Sequence, residues 1–174
     1  MLLLSGGLIN KPILSLRTGG PIATALQPII NPNNLKIEGF YCQDRFDKVQ
    51  LVLVQNDVRE IISQGIVVND HEVLTHPDEL VRLKPILDIK FQLLGKLVVT
   101  QSKSRVGKIN DFAVDNNSFY VQKLYVGQSL LKGFSTGQLS IDRDQIIEIT
   151  NKKIVIQDLL ETVKGTVPVG APAS

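Results

Sequence analysis

The chain has 174 residues, 43% of them hydrophobic and 21% charged, with a formal net charge of +2. That length accommodates one ordinary domain or two small ones, and the composition excludes a wholly disordered chain. So slight a charge gives no electrostatic ground for binding nucleic acid or anionic lipid.

In chain order, MLLLSGGLINK comes first. It lacks the basic start and the roughly 7–15 apolar residues of an export signal. No window holds the ~18 apolar residues of a membrane helix. A cytoplasmic location is expected, with membrane association only through a partner. Short runs rich in Val, Ile and Leu follow at 13–18, 21–30, 35–43, 50–55 and 65–70, bounded by Gly, Asn, Pro and Asp. Alternation with period two between turn residues predicts strands. Cys42 lies within one of these runs and reads as a small buried hydrophobe. As the only cysteine it excludes an internal disulfide and fits a reducing compartment.

THPDELVRLKP, 75–85, interrupts the strands. Thr75 with Asp78 fits a capping box, and Pro85 disfavours helical geometry at Lys84, so a linker helix is predicted over 76–83. The strand pattern then resumes at 95–101, 106–115, 119–127, 139–142, 146–150 and 153–158. DLLETVKG, 158–165, takes the linker's place after these, with Gly165 as a helix stop, and 166–174 reads as a flexible tail.

The second series repeats the first. VREIISQGIVVND (58–70) and IIEITNKKIVIQD (146–158) break at the same place and end at Asp70 and Asp158. An offset of 84 residues matches Ile13 with Leu97, Ile22 with Val106, Ile37 with Val121, Tyr41 with Tyr125 and Asn33 with Asn117. From Leu51 onward the offset is 88, which matches Glu60 with Glu148 and Asp70 with Asp158. One four-residue insertion within 127–138 reconciles the two, and a longer surface loop costs little. A duplicated module is therefore expected: 1–85 as the first repeat with its linker, 86–165 as the second, and the tail. Five or six short strands per repeat, with few aromatics, suit a mainly β fold of two small barrels whose closure removes exposed edges.

The second repeat carries Val98, Val106, Gly107, Lys108, Ile109, Asp111 and Asp115 in a pattern that resembles the signature of the PRC-barrel family. The first repeat departs from it, with Ala23 at the glycine, Gln27 at the first aspartate and Asn31 at the second. The resemblance implies tandem barrels that dock onto a protein or ribonucleoprotein, as in the cytoplasmic part of the reaction-centre H subunit or the C-terminal domain of a ribosome-maturation factor. It brings no catalytic residue and no cofactor. Physically, Gly107 permits a close backbone approach, and Asp111 and Asp115 can hold turn or strand-end backbone.

Other chemistry is weakly signalled. His71-Glu72 with His76 has i, i+5 spacing, which would put the two rings about 140° apart on a helix, not on one metal-binding face. SRVGKIN lacks the glycine and hydroxyl of a phosphate loop, and LLSGG is no nucleophile elbow. Lys103, Arg105 and Lys108 form a basic tip that could touch phosphate or an acidic partner. The sequence thus points to a non-enzymatic adaptor that binds a macromolecular partner, a protein in the first instance, by a barrel face or the groove between repeats. The alternative is an RNA- or ribosome-associated factor using the basic tip, and a third reading is an enzyme or small-ligand binder with a site between the repeats.

Overall fold

The computed structural model describes residues 1–127 and 137–158. In chain order the strands are β1 (Leu2–Leu4), β2 (Lys11–Ser15), β3 (Pro21–Asn31), β4 (Lys36–Asp44), β5 (Gln50–Val54), β6 (Glu60–Ile62), β7 (Gly65–Val68) and β8 (Leu74–Thr75). Helix α1 (Lys84–Ile89) follows, then β9 (Leu97–Thr100), β10 (Arg105–Asp115), β11 (Val121–Gly127), β12 (Gln138–Asp142), β13 (Ile146–Ile149) and β14 (Lys153–Ile156). The fold is mainly β, and no helix among the described residues is long and apolar enough to cross a membrane.

Two sheets carry the same order. The first runs β6-β7-β2-β3-β4-β5-β8 and the second β12-β11-β10-β9-β14-β13, with β1 added on β10. In each, one parallel pairing (β2 with β7, β9 with β14) sits among antiparallel ones. Three bulges recur at matching places. Ile22 and Val106 are extra residues opposite β2 and β9. Leu26 and Asn110 are extra on β3 and β10, and Glu38 and Gln122 are extra on β4 and β11. A bulge bends a strand and raises its twist, so matched bulges give both sheets one curvature.

The sequence register needs one correction. Ile13 pairs with Ile66 and Val98 with Ile154, so Ile13 corresponds to Val98, not to Leu97. The cause is the first hairpin: Ser15 N–H bonds the Gly20 carbonyl, whereas Thr100 N–H bonds that of Ser104, one residue sooner. The insertion at 127–138 falls almost wholly outside the described residues, as do Gly165 and the tail at 166–174.

The sheets are open rather than closed into barrels. Among the described residues no ladder joins β6 to β5 or β13 to β12, and the far edge of β5 is taken by β8. Closure is one way to bury an apolar sheet face; here side chains of both sheets, from Ile13, Ile37 and Phe40 to Val98, Phe112 and Leu124, build one continuous core instead.

Two backbone devices join the sheets. The β3–β4 and β10–β11 turns meet tip to tip. Ile37 N–H bonds the Phe119 carbonyl (2.8 Å) and Val121 N–H bonds the Leu35 carbonyl (2.9 Å), a pair related by the 84-residue offset. Leu35 (φ 56°) and Phe119 (φ 64°) are both left-handed and both buried. That conformation costs a bulky residue roughly 1–2 kcal/mol, which core burial and the exchanged bonds offset. The second device is β1. It precedes the first sheet in sequence but pairs with β10 of the second, Leu3 opposite Val114.

The linker helix is α1, later than the 76–83 expected. Residues 77–79 form only a short 3₁₀ turn without a side-chain cap, and the Thr75 hydroxyl bonds the Val73 carbonyl instead. Pro85 lies in the first turn of α1, where a missing N–H costs nothing. Leu87 packs with Ile29 and Val52 on the first sheet.

Candidate functional site

The residues of the family-like pattern act on backbone. A Cβ on Gly107 would lie 2.1 Å from the Gly127 carbonyl oxygen, so the close approach excludes any side chain. Ala23, at the same place in the first sheet, keeps an ordinary negative φ. Asp111 Oδ1 accepts from the Ser5 hydroxyl (2.6 Å) and N–H (3.2 Å) and thereby anchors the end of β1. Asp115 Oδ2 accepts from the Ser118 hydroxyl (2.7 Å) and N–H (3.0 Å), bonds that hold its pKa below the usual carboxylate range. Asn31, its counterpart, accepts from Asn33 N–H at 2.9 Å.

Asp70 and Asp158 are equivalent clasps. The Ser15 hydroxyl donates to Asp70 (2.9 Å) and the Ser102 hydroxyl to Asp158 (2.7 Å), tying each first hairpin to the strand that ends beside it. The His71 N–H, then Ser15, keep the Asp70 pKa low; Ser102 does so for Asp158. Glu60 and Glu148 lie exposed on β6 and β13, one in each sheet, opposite Val67 and Val155. They form no paired site.

Cys42 is fully buried, and desolvation pushes its thiol up to about 12, so it has no nucleophilic character at neutral pH. His71 and His76 serve different places. His71 Nε2 bonds Asp44 Oδ1 and its ring meets Phe46, while His76 stands at the N-cap position of the 77–79 turn and its side chain makes no cap bond there. Burial opposes the Asp44 charge, but His71 and the N–H groups of Asp47 and Phe46 outweigh it and hold the carboxyl at about 2. No cluster of three potential metal ligands occurs among the described residues.

The basic tip divides. Lys103 sits at φ 68° in the β9–β10 turn. Arg105 lies opposite Val99 and Lys108 opposite Leu97, so these two share the outer face of the sheet. Only Lys108 lines a hollow, of about 520 Å³, together with Lys90, Lys96 and Lys152. Those three lysines escape sequence inspection because the chain scatters them.

A second depression, also about 520 Å³, lies between the repeats. The turn at 32–35 forms one wall and 143–149, including β13, the other. Arg143 crosses it: its guanidinium donates to the carbonyls of Val121 and Asn34 and lies 5.0 Å from the Tyr120 ring, which Lys36 approaches at 5.7 Å. β13 is the end strand of its sheet, with Ile147 47% exposed and Ile146 and Ile149 half-buried. In the first sheet the residue matching Ile147 is Arg59, whose Nε donates to Asn69 Oδ1 at 2.7 Å.

No protein-family model matches the chain, and no curated protein matches it.

Proposed function

We propose that the protein is a non-catalytic, cytoplasmic interaction module of PRC-barrel kind, an adaptor that docks a protein partner along β13. The observation that carries this is the edge of β13 beside the inter-repeat groove, which no strand among the described residues pairs. An end strand presents unpaired N–H and C=O groups, and proteins commonly guard such an edge with charge. Each end strand carries an exposed glutamate, Glu60 or Glu148, but at the matching place beside it the first sheet has Arg59 and the second the exposed Ile147, the extra residue of a bulge in β13. An extended partner segment adding to β13 would gain main-chain hydrogen bonds, with the exposed Ile147 meeting its side chains while Ile146 and Ile149 pack on the core. The kinship is supported by the twofold repeat and by the structural use of its pattern residues, Gly107 at a close backbone approach and Asp111 and Asp115 holding backbone N–H groups.

The test is capture from native lysate on immobilised wild-type and Ile147→Arg protein, read by mass spectrometry. A stable protein partner retained by wild type and by Lys103→Ala/Arg105→Ala, but lost with Ile147→Arg, is expected. Equal capture by both, or none by either, defeats the proposal. The alternative, an RNA-associated factor, draws on Arg105 and Lys108 sharing one sheet face. It predicts the reverse dependence: RNA retained by Ile147→Arg, lost in the double variant, and steeply weakened by salt.

A further inference from the structure

Four lysines converge on the hollow of the second sheet. Lys90 is the left-handed C-cap of α1, Lys96 directly precedes β9, Lys108 comes from β10 and Lys152 from the β13–β14 turn. Strand register explains the convergence. Leu97 pairs with Lys108 on one side and Lys153 on the other, so Lys108 and the turn at 151–153 stand two strand spacings, ~10 Å, apart across the start of β9. No acidic residue lines the hollow, and none of the four lysines forms an ion pair among the described residues. Four like charges brought together repel one another, and the lining supplies no counter-charge.

One of the four is held in place. Lys96 Nζ donates to the Asn151 carbonyl at 2.6 Å and lies 4.6 Å from the Phe91 ring centroid, leaving two ammonium hydrogens for a ligand. Desolvation lowers its pKa, a penalty that a bound anion would relieve. The first sheet has no such site: Thr24 stands at the place of Lys108 and Gln64 at that of Lys152, with only Lys11 matching Lys96.

We infer that this hollow binds a compact ligand bearing more than one phosphoryl group. Its size falls in the ~300–1,000 Å³ range of small-ligand sites. An ammonium is a point charge that meets tetrahedral phosphoryl oxygens from any side, whereas a planar carboxylate is best met by the arginine fork, and no arginine lines the hollow. The cations come from three separate segments around a concavity rather than in a line along one strand, which suits a compact anion better than a nucleic-acid backbone. The site shares no residue with the β13 groove, so either can stand without the other.

The probe is pyrophosphate, titrated into the full chain at low ionic strength by calorimetry, with Tm followed in parallel. Saturable binding with a rise in Tm is expected, weakening as salt is added. Lys108→Gln/Lys152→Gln should weaken it by about tenfold or more, as loss of charge-assisted contacts implies. Lys103→Gln/Arg105→Gln should leave it unchanged, and Lys108→Arg/Lys152→Arg should restore most of it. The Lys96 ammonium, followed by NMR, should titrate at higher pH with pyrophosphate present. Absence of saturable binding, or equal loss in both Gln pairs, overturns the site. So does tighter binding of a single-stranded RNA oligonucleotide than of pyrophosphate through these lysines.

Discussion

The two sheets share a strand order, three bulges and a hydroxyl-to-aspartate clasp, yet their outer surfaces differ. Arg59 stands on one edge where the exposed Ile147 stands on the other, and Thr24 and Gln64 stand where Lys108 and Lys152 line a hollow. The comparison separates two kinds of residue within one chain. What appears twice is what either sheet needs in order to fold. What appears once is released from that need, and there a binding role is best sought. By this test Asp70 and Asp158 are scaffold, whereas Ile147, Lys90, Lys108 and Lys152 are not; Lys96 has its counterpart in Lys11.

The largest effects should come where the sheets meet. Leu35→Ala should cost ~2–5 kcal/mol and Phe119→Ala ~3–5 kcal/mol, since both side chains are buried in the common core. Both variants should unfold in urea in one transition seen equally by probes on either sheet. Loss of one sheet while the other persists would show that the shared core does not couple them. A smaller effect separates the sheets rather than joining them. Gly107→Ala should destabilise by more than ~1 kcal/mol because its Cβ would strike the Gly127 carbonyl. The converse Ala23→Gly should cost only ~0.5–1 kcal/mol in chain entropy. Equal costs would mean that the two positions are held alike.

The smallest effect is a pH dependence. Asp44, at about 2, and Asp70 and Asp158, also lowered, are all depressed in the folded chain. Their stabilisation is therefore full above the unfolded aspartate value of ~3.9 and is lost as pH falls through the folded values, between about pH 5 and pH 2 for Asp44. Asp70→Asn and Asp158→Asn should each remove a similar, minor part of this acid sensitivity, measured as the slope of stability against pH. Asp44→Asn should remove more. A large inequality between the two clasp variants would break their equivalence.

The strands and the repeat were legible because alternation and turn residues are local signals. Barrel closure was not: it depends on which edges meet, and β8 takes the edge of β5. The bulges left only a faint trace, adjacent apolar pairs such as Ile29-Ile30 and Ala113-Val114 that break strict alternation. Pro85 read as a stop although the first helical turn tolerates it. β1 went unnoticed because three leucines gain strand character only from a partner at 113–115. Of the hollow, only Lys108 drew notice, beside Lys103 and Arg105, which lie outside it. Charge clusters drawn from separated segments are invisible until register sets them side by side.

The pairing of β1 with β10 also bears on how the chain reaches this state. Leu2 is synthesised more than a hundred residues before its partner Asp115. On the ribosome the first sheet can begin to form while this strap waits, apolar and unpaired, for β10 to emerge. Closing so long a loop is slow, and the interval exposes three leucines to other strands or to a chaperone. One of the seams that tie the repeats together therefore waits more than a hundred residues for its second half, and a pause in translation before residue 105 would prolong the exposure.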